Sequence, residues 1–158
     1  MTKKLVAYFS PTGVTEGVAK KIAQMTGADL YEIQPKEPYT RADLNWTDEK
    51  SRSTIEMKDL DFRPEMLALP ENIKEYDTIF LGFPIWWYIA PTIINTFLES
   101  HDFTGITIAP FFTSAGSDAG NTDDHLHLSA PNAFWRPAKR LYPNNDERIK
   151  LWLDNAVL

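Results

Sequence analysis

The sequence predicts an α/β fold in which a doubly wound parallel sheet of five strands is covered by helices on both faces, making three layers. Short apolar runs alternate along the chain with segments whose apolar residues recur at helical spacing. Strands that alternate with helices form parallel sheets, because each crossover helix packs back onto the sheet. Residues 5–23 show this order most clearly, with an apolar run, a hydroxyl-rich turn and then a helical pattern.

Each element follows from its local pattern. The predicted strands are the apolar runs 5–9, 78–83 and 106–112, the alternating segment 28–34, and a fifth strand within 133–141. The predicted helices begin at residue 14 and cover 92–99 and 146–157, with a further one near 48–57. Their buried faces are expected to carry Val14, Val18 and Ile22 in the first helix, Ile93, Ile94, Phe97 and Leu98 in the helix at 92–99, and Ile149, Trp152, Leu153 and Ala156 in the last.

Composition limits the classes of function. The chain has 158 residues, which suits one domain spanning 1–158, and it has no cysteine, so disulfides and thiolate metal sites are excluded. Its formal net charge of −6 argues against a nucleic-acid partner. No apolar run is long enough to span a membrane and no signal-peptide pattern opens the chain, so we expect a cytoplasmic protein without a membrane partner.

The polar residues 35–70, here called the long segment, exceed an ordinary connection between elements. Four prolines punctuate this stretch, and only one helix is expected within it. Long connections of this kind are often lids or binding loops. Its charged residues Asp43, Asp48 and Glu56 are expected to be solvated.

The turn after the first strand predicts a phosphate site. Ser10, Thr12 and Thr15 bring three hydroxyls to the start of a helix, where backbone N–H groups lack partners and the helix dipole is positive. The turn has neither the glycine pattern of dinucleotide sites nor the Gly-Lys-Ser/Thr of nucleoside-triphosphate sites. The alternative interpretation is that these hydroxyls only cap the helix.

Two further turns should lie beside the first, because ligands of such sheets bind beyond the carboxyl ends of the strands. Residues 84–88 include Trp86, Trp87 and Tyr88, whose rings could stack on a flat conjugated ligand. Residues 113–121 are small and hydroxyl-bearing, with glycines that let the backbone approach a ligand edge. A phosphate at one end and a flat heterocycle at the other describe a mononucleotide.

The chain resembles the flavodoxins, FMN-binding electron carriers, and among them the branch with a long insertion after the second strand. The resemblance covers nearly the whole chain. In the three turns it is carried by residues 8–15, 82–88 and 113–117, and in the long segment by Pro38-Tyr39, 43–46, 51–53 and 63–65. Near the end of the chain it is carried by residues 139–141 and by Trp152-Leu153 of the last helix. It implies a flavodoxin-like sheet with strand order 2-1-3-4-5 and FMN as cofactor.

The resemblance also implies which residues would hold FMN. The phosphate would be bound by Ser10, Thr12, Gly13, Val14 and Thr15; one side of the isoalloxazine would be lined by Pro84, Ile85, Trp86, Trp87 and Tyr88; and the other side and the pyrimidine edge would be lined by Thr113, Ser114, Ala115, Gly116 and Gly120. The chain departs from the pattern at Val14, where many relatives have Asn, and in the short stretch 118–129, where relatives have a fuller helix.

Two functions are compatible with these residues. The first is electron transfer through non-covalently bound FMN, with a reductase or an acceptor enzyme as partner. The second is an NAD(P)H-dependent quinone or flavin reductase that resembles the Trp-repressor-binding-protein-like enzymes and acts on a small quinone. The turn at 84–91 has no glycine to ease a peptide flip beside the flavin, which weakens the first function. The long segment would either build a substrate pocket or cover the flavin.

A signalling receiver domain is excluded, because the end of the first strand has Tyr8-Phe9-Ser10 in place of the acidic pair that this class needs. Asp123 and His127 could share a helix face, but no third metal ligand is evident, and no metal site is predicted. Trp152 is expected in the core, and either Trp46 or Trp135 could shield the flavin. The adjacent indoles of Trp86 and Trp87 should point in different directions.

Overall fold

The computed structural model describes residues 3–67, 72–114, 118 and 120–156. Its strands are β1 (Lys4–Tyr8), β2 (Asp29–Glu32), β3 (Thr78–Pro84), β4 (Thr107–Thr113), β5 (Phe134–Trp135) and β6 (Lys139–Arg140). Its α-helices are α1 (Val14–Thr26), α2 (Arg52–Lys58), α3 (Thr92–Glu99), α4 (Thr122–His127) and α5 (Asp146–Ala156), and a 3-10 turn covers Ile73–Glu75. The six-residue α4 agrees with the short stretch noted in the sequence.

The strands pair in the order β2-β1-β3-β4-β5, and every neighbouring pair is parallel. The predicted doubly wound sheet with order 2-1-3-4-5 is therefore confirmed. The fifth strand is broken into two pieces, since β5 pairs with the first half of β4 and β6 with its second half. Pro110 on β4 and Pro137 between the two pieces coincide with the break, because proline has no N–H to donate to the ladder.

The core lies on both faces of the sheet. One face packs against α3, whose predicted apolar side chains Ile93, Ile94, Phe97 and Leu98 are all buried. The other face packs against α1 and α5 through buried residues that include Val18, Ile22, Ile149, Trp152 and Leu153, while the side chain of Ala156 is outside the described part. The core position of Trp152 is confirmed, since its ring packs against Phe80 and Phe111.

One helix-face prediction is wrong. Val14 has the spacing of the buried face of α1, but its side chain is 47% exposed. It is the first helical residue and lies beyond the carboxyl end of the sheet, where no partner layer covers it. No helix in the described ranges has the length and apolar character needed to cross a membrane.

Candidate functional site

The three turns lie together because β1, β3 and β4 are neighbours. The N–H of Phe9, just after β1, donates to the carbonyl of Gly82 on β3 at 2.9 Å. The N–H of Ile85, just after β3, donates to the carbonyl of Thr113 at the end of β4 at 3.2 Å. Strand β1 has β2 on one side and β3 on the other, so the chain reverses its winding direction here. Such a switch point is where open α/β sheets bind ligands.

The first turn leaves a row of backbone donors at the start of α1. Gly13 adopts a left-handed φ of 88°, and the helix begins at the next residue. The Ser10 Oγ accepts a hydrogen bond from the N–H of Glu16 at 2.9 Å. Among the described residues, nothing accepts a hydrogen bond from the N–H groups of residues 12–15. These amides and the positive end of the helix dipole make a site for an anion.

The side chains of this turn have separate environments. Thr12 is exposed and free to contact a ligand. Thr15 is only 2% exposed, and its Oγ1 lies 2.7 Å from the Oγ1 of Thr113. That hydroxyl pair ties the first turn to the end of β4, so the Thr15 hydroxyl is engaged within the protein and its N–H is the group that points to a ligand. The exposed Val14 likewise offers only its N–H.

The second turn is a tight reversal at residues 86–89. The N–H of Trp86 donates to the carbonyl of Ile89 at 2.9 Å, and the N–H of Ile89 donates back to the carbonyl of Trp86 at 3.2 Å. The two residues between them, Trp87 and Tyr88, have φ angles of 50° and 67°. Positive φ at both central residues is the pattern of a type I′ turn, which usually takes Asn and Gly. Bulky residues in this region cost roughly 1–2 kcal/mol each.

The two adjacent indoles diverge, as expected. The Trp86 ring packs edge-on against Phe9 and Tyr39, with centroid distances of 5.7 and 5.5 Å. Trp87 is 41% exposed and Tyr88 is 66% exposed. The turn is therefore anchored by Trp86 and presents its next two rings to the mouth of the crevice.

The third turn closes against the second. Gly120 has a φ of 54°, and a Cβ built on it would lie 2.2 Å from the carbonyl oxygen of Tyr88. Only glycine fits at this approach. Thr113 is buried and Ser114 half-buried at the end of β4, whereas the predicted ligand residues Ala115 and Gly116 lie outside the described residues.

The long segment supports the second turn through a buried ion pair. The guanidinium of Arg52 lies over the ring of Tyr39, with its Cζ 3.8 Å from the centroid. Its Nε donates to Glu56 Oε2 at 2.8 Å, and the Tyr39 hydroxyl donates to the other oxygen of the same carboxylate. Burial and the nearby carboxylate raise the pKa of Tyr39 above its usual range, so the phenol stays protonated.

The expectation that Glu56 is a solvated charge is wrong, because its side chain is only 6% exposed. Its carboxylate is kept there by the Arg52 and Tyr39 donors, which replace water. Asp48 is exposed, as expected. Asp43 accepts a hydrogen bond from the N–H of Thr40 at 2.9 Å, and that bond lowers the pKa of its carboxyl.

A cavity of about 510 Å³ lies between the long segment and the second turn. The long segment contributes Leu44, Trp46 and Ser53, and the opposite wall is formed by residues 85–88 and Ser114. Trp46 is 72% exposed and forms part of the rim. Trp135 has a different role, since its Nε1 donates to the carbonyl of Ala130 at 2.8 Å and its ring lies 4.8 Å from that of His127.

Asp123 and His127 of α4 contact neighbouring parts of the fold. The Oδ1 of Asp123 accepts a hydrogen bond from the N–H of Ala138 at 3.2 Å, and His127 packs on Trp135. Over the ranges that the structure describes, no group of three metal-ligating side chains is found.

Sequence reasoning did not assign Tyr39, Arg52 or Ser53 to the site. Arg52 and Glu56 have the i, i+4 spacing of a helical ion pair, which could have predicted the contact between them. Their burial against Tyr39 depends on how the long segment folds back over the sheet, which no local pattern encodes. The resemblance had marked 51–53 and Pro38-Tyr39 without indicating what they contact.

The residues present fit FMN. The amides of residues 12–15 suit a phosphate, and the glycine at 13 has open space where a Cβ would stand, so the backbone is accessible. The aromatic turn follows β3 and the third turn follows β4, so both lie next to the first turn at the carboxyl ends of the strands. This arrangement suits a planar ring system.

Comparisons with known proteins agree with this fold and site. Residues 3–156 match the flavodoxin family. A flavoprotein structure from Bacteroides eggerthii is 45% identical, with a TM-score of 0.93 and coverage of 100% of this chain and 99% of that one. A flavoprotein from Lactobacillus acidophilus, solved in complex with FMN, is 25% identical, with a TM-score of 0.77 and full coverage of both chains.

More distant structures share the fold alone. A WrbA-like flavodoxin from Agrobacterium tumefaciens is 15% identical with a TM-score of 0.60, covering 99% of this chain and 95% of that one. No curated protein matches the chain. The match over nearly the full sequence, together with the strand order, shows that this chain belongs to the flavodoxin family.

Proposed function

We propose that this protein binds FMN non-covalently at the carboxyl ends of β1, β3 and β4 and transfers electrons through it. The observation that carries the proposal is the row of unpartnered amides at residues 12–15, located beside the aromatic turn at 86–89. The FMN complex of the Lactobacillus acidophilus relative supports the same cofactor. The flavin supplies the redox chemistry, and the protein binds, orients and shields it.

The chain's own groups divide the work of binding. The amides of residues 12–15 donate to phosphate oxygens, and Thr12 adds a hydroxyl. Ser10 accepts the Glu16 amide and still has its own proton to donate. No lysine or arginine lies in this turn, so the phosphate charge is balanced by N–H groups and the dipole of α1. The second and third turns, which contact each other at Tyr88 and Gly120, line the part of the crevice that holds the ring.

Titration of the apoprotein with FMN and with riboflavin, followed by flavin fluorescence, tests the phosphate site. We expect riboflavin to bind at least about 100-fold more weakly, because it forgoes two or more charge-assisted hydrogen bonds. Thr12→Ala should weaken FMN binding about tenfold and leave riboflavin binding unchanged.

Thr104→Ala is the matched control. Thr104 is an exposed loop threonine just before β4, at the amino-terminal ends of the strands and therefore away from the proposed site. It should leave the affinity for both flavins unchanged. Equal affinity for FMN and riboflavin in the unmodified protein would contradict the phosphate assignment.

A second candidate function, reduction of a small molecule by the bound flavin, is favoured by the cavity next to the second turn. Five of the eight residues that line this cavity, residues 85–88 and Ser114, also belong to the predicted flavin seat, so the wall formed by Leu44, Trp46 and Ser53 is the part left for a second molecule. A carrier would instead present its acidic net charge to a basic docking face of a protein partner. Stepwise anaerobic reduction of the FMN-loaded protein separates the two. Reduction in two resolved one-electron steps supports the carrier, and a single two-electron step with steady NAD(P)H consumption in the presence of a quinone supports the reductase.

A further inference from the structure

We propose that the long segment forms one wall of the flavin ring's own seat, and that the Ser53 hydroxyl donates a hydrogen bond to an acceptor atom on that ring. The inference rests on the proposed binding of FMN, and it adds a ring contact from outside the three turns. The resemblance assigned ring contacts only to the turns that follow β3 and β4. Ser53 lies instead on α2, within the long segment.

The predicted ring seat and the long segment share one cavity. Residues 85–88 and Ser114, which are expected to line the ring, form one side of the cavity of about 510 Å³, and Leu44, Trp46 and Ser53 form the other. This volume lies within the range of small-molecule sites. A planar ring that lies against the second turn therefore faces the long segment across the cavity.

The walls suit the uncharged ring of FMN and not its phosphate. None of the described residues that line the cavity carries a charge at neutral pH, and the indoles among them can stack on another ring or meet its edge. The guanidinium of Arg52, the residue before Ser53, is engaged by Glu56 at 2.8 Å and by the carbonyl of Glu37 at 2.7 Å. The donors that suit the phosphate lie at the first turn, so the ring is the part of FMN that this cavity accommodates.

The Ser53 hydroxyl is a buried polar group without a partner in the protein. The residue lines the cavity and is 2% exposed, and its Oγ has no hydrogen-bond partner among the described residues. A buried hydroxyl without a partner is unfavourable, so a ligand acceptor that takes its proton gains free energy. The isoalloxazine ring has carbonyl oxygens and ring nitrogens along its polar edge, and these supply such an acceptor.

Capping of α2 does not account for the Ser53 hydroxyl. The helix is capped by Ser51, whose Oγ accepts a hydrogen bond from the N–H of Thr54 and lies 2.8 Å from the Thr54 Oγ1. The N–H of Ser53 donates to the carbonyl of Asp43 at 2.9 Å, which holds the residue in place without using its side chain. The hydroxyl is therefore fixed in position and still has its proton to donate to a ligand.

The test compares the affinities of the unmodified apoprotein and of Ser53→Ala for FMN, riboflavin and lumiflavin, followed by flavin fluorescence. Lumiflavin has neither the ribityl chain nor the phosphate, so it reports on the ring seat alone. We expect Ser53→Ala to bind all three flavins about fivefold more weakly, because each loses the same hydrogen bond. The melting temperature of the apoprotein should stay the same or rise, since the removed hydroxyl has no partner there.

Ser51→Ala is the matched control. It removes another buried hydroxyl from the start of α2, and Ser51 is not among the described residues that line the cavity. The variant should melt at a lower temperature because the helix loses its cap, with lumiflavin affinity unchanged. Equal losses of lumiflavin affinity in the two serine variants would show that a loosened α2 causes the effect, and would overturn the proposal.

The same titrations separate this inference from the function on which it rests. Failure of the unmodified protein to bind FMN would refute the proposed function. Normal binding of FMN, with the same lumiflavin affinity before and after Ser53→Ala, would leave that function standing and overturn the inference. The wall would then be left for a second molecule, as the second candidate function requires.

Trp46→Ala tests the wall independently of Ser53. Trp46 is 72% exposed at the rim, so the fold should tolerate the change, and loss of a ring-to-ring contact should weaken lumiflavin binding about fivefold. Phe134→Ala is the control, because Phe134 is an exposed aromatic residue on β5 that is absent from the described lining of the cavity. Unchanged lumiflavin affinity in Trp46→Ala would contradict the claim that the long segment contacts the ring.

Discussion

The first and second turns of the site both have left-handed backbone, but they reach it in opposite ways. In the first, Gly13 has a φ of 88° with nothing within 4 Å of where its Cβ would be. In the second, Trp87 and Tyr88 have φ angles of 50° and 67° with large side chains. The glycine adopts its angle without cost, whereas the aromatic residues need neighbours to impose theirs.

Those neighbours are identifiable. Trp86 is wedged against Phe9 and Tyr39, and the latter is fixed by the buried Arg52–Glu56 pair. The Tyr88 carbonyl lies so close to Gly120 that a Cβ at residue 120 would clash with it. The comparison shows that the first turn is determined locally and the second by contacts from distant parts of the chain. The following substitutions test this difference.

The largest effect is expected from Glu56→Ala. It removes the acceptor of the Arg52 Nε and of the Tyr39 hydroxyl, while another nitrogen of the guanidinium keeps its bond to the carbonyl of Glu37. Loss of one partner of a buried pair is strongly destabilising. Because Arg52 is partly exposed, we expect a decrease of about 2–3 kcal/mol in the free energy of unfolding, measured with urea. Tryptophan fluorescence, to which Trp86 contributes as one of five indoles, should also shift as the contact between Tyr39 and Trp86 loosens.

Glu65→Ala is the control for this substitution. Glu65 pairs with Lys36 at 3.2 Å, but its side chain is 75% exposed, so its removal should cost at most about 0.5 kcal/mol. Equal losses for the two variants would show that the buried pair does not stabilise the long segment.

A smaller effect is expected from Gly120→Ala, which combines left-handed strain with a contact of 2.2 Å to the Tyr88 carbonyl. Gly105→Ala is the matched control, since Gly105 has a φ of 81° but nothing within 4 Å. The control should cost about 1 kcal/mol from strain alone, and Gly120→Ala should cost about 1 kcal/mol more than the control. Only Gly120→Ala should weaken FMN binding. Indistinguishable unfolding midpoints would mean that the third turn does not hold the second.

The smallest expected effect is the difference in stability between two substitutions at residue 88. Tyr88→Gly and Tyr88→Ala both remove an exposed ring, but only glycine relieves the left-handed strain at a φ of 67°. We expect the glycine variant to unfold at higher urea concentration, with a free energy of unfolding about 1 kcal/mol above that of the alanine variant. A more stable alanine variant would refute the claim that the backbone of this turn is strained.

The sequence alone determined the fold class, the strand order through the family resemblance, and the positions of the three turns. The fold class and the turns depend on short-range patterns: buried strands are apolar runs, and a helix that begins after a hydroxyl-rich turn leaves its first amides free. The buried faces of α3 and α5 were predictable for the same reason. Val14 failed because helical spacing does not indicate where the covering layer ends.

Tertiary structure decided the rest. The burial of Glu56, the engagement of the Thr15 hydroxyl by Thr113, and the left-handed backbone of Trp87 and Tyr88 each depend on residues brought together from separate elements. The cavity that includes Ser53 exists only because the long segment folds back over the second turn. Local propensity sets which element each residue joins. The unfavourable free energy of burying a charge or straining a turn is offset by contacts with residues from other elements, and those contacts form only in the folded chain.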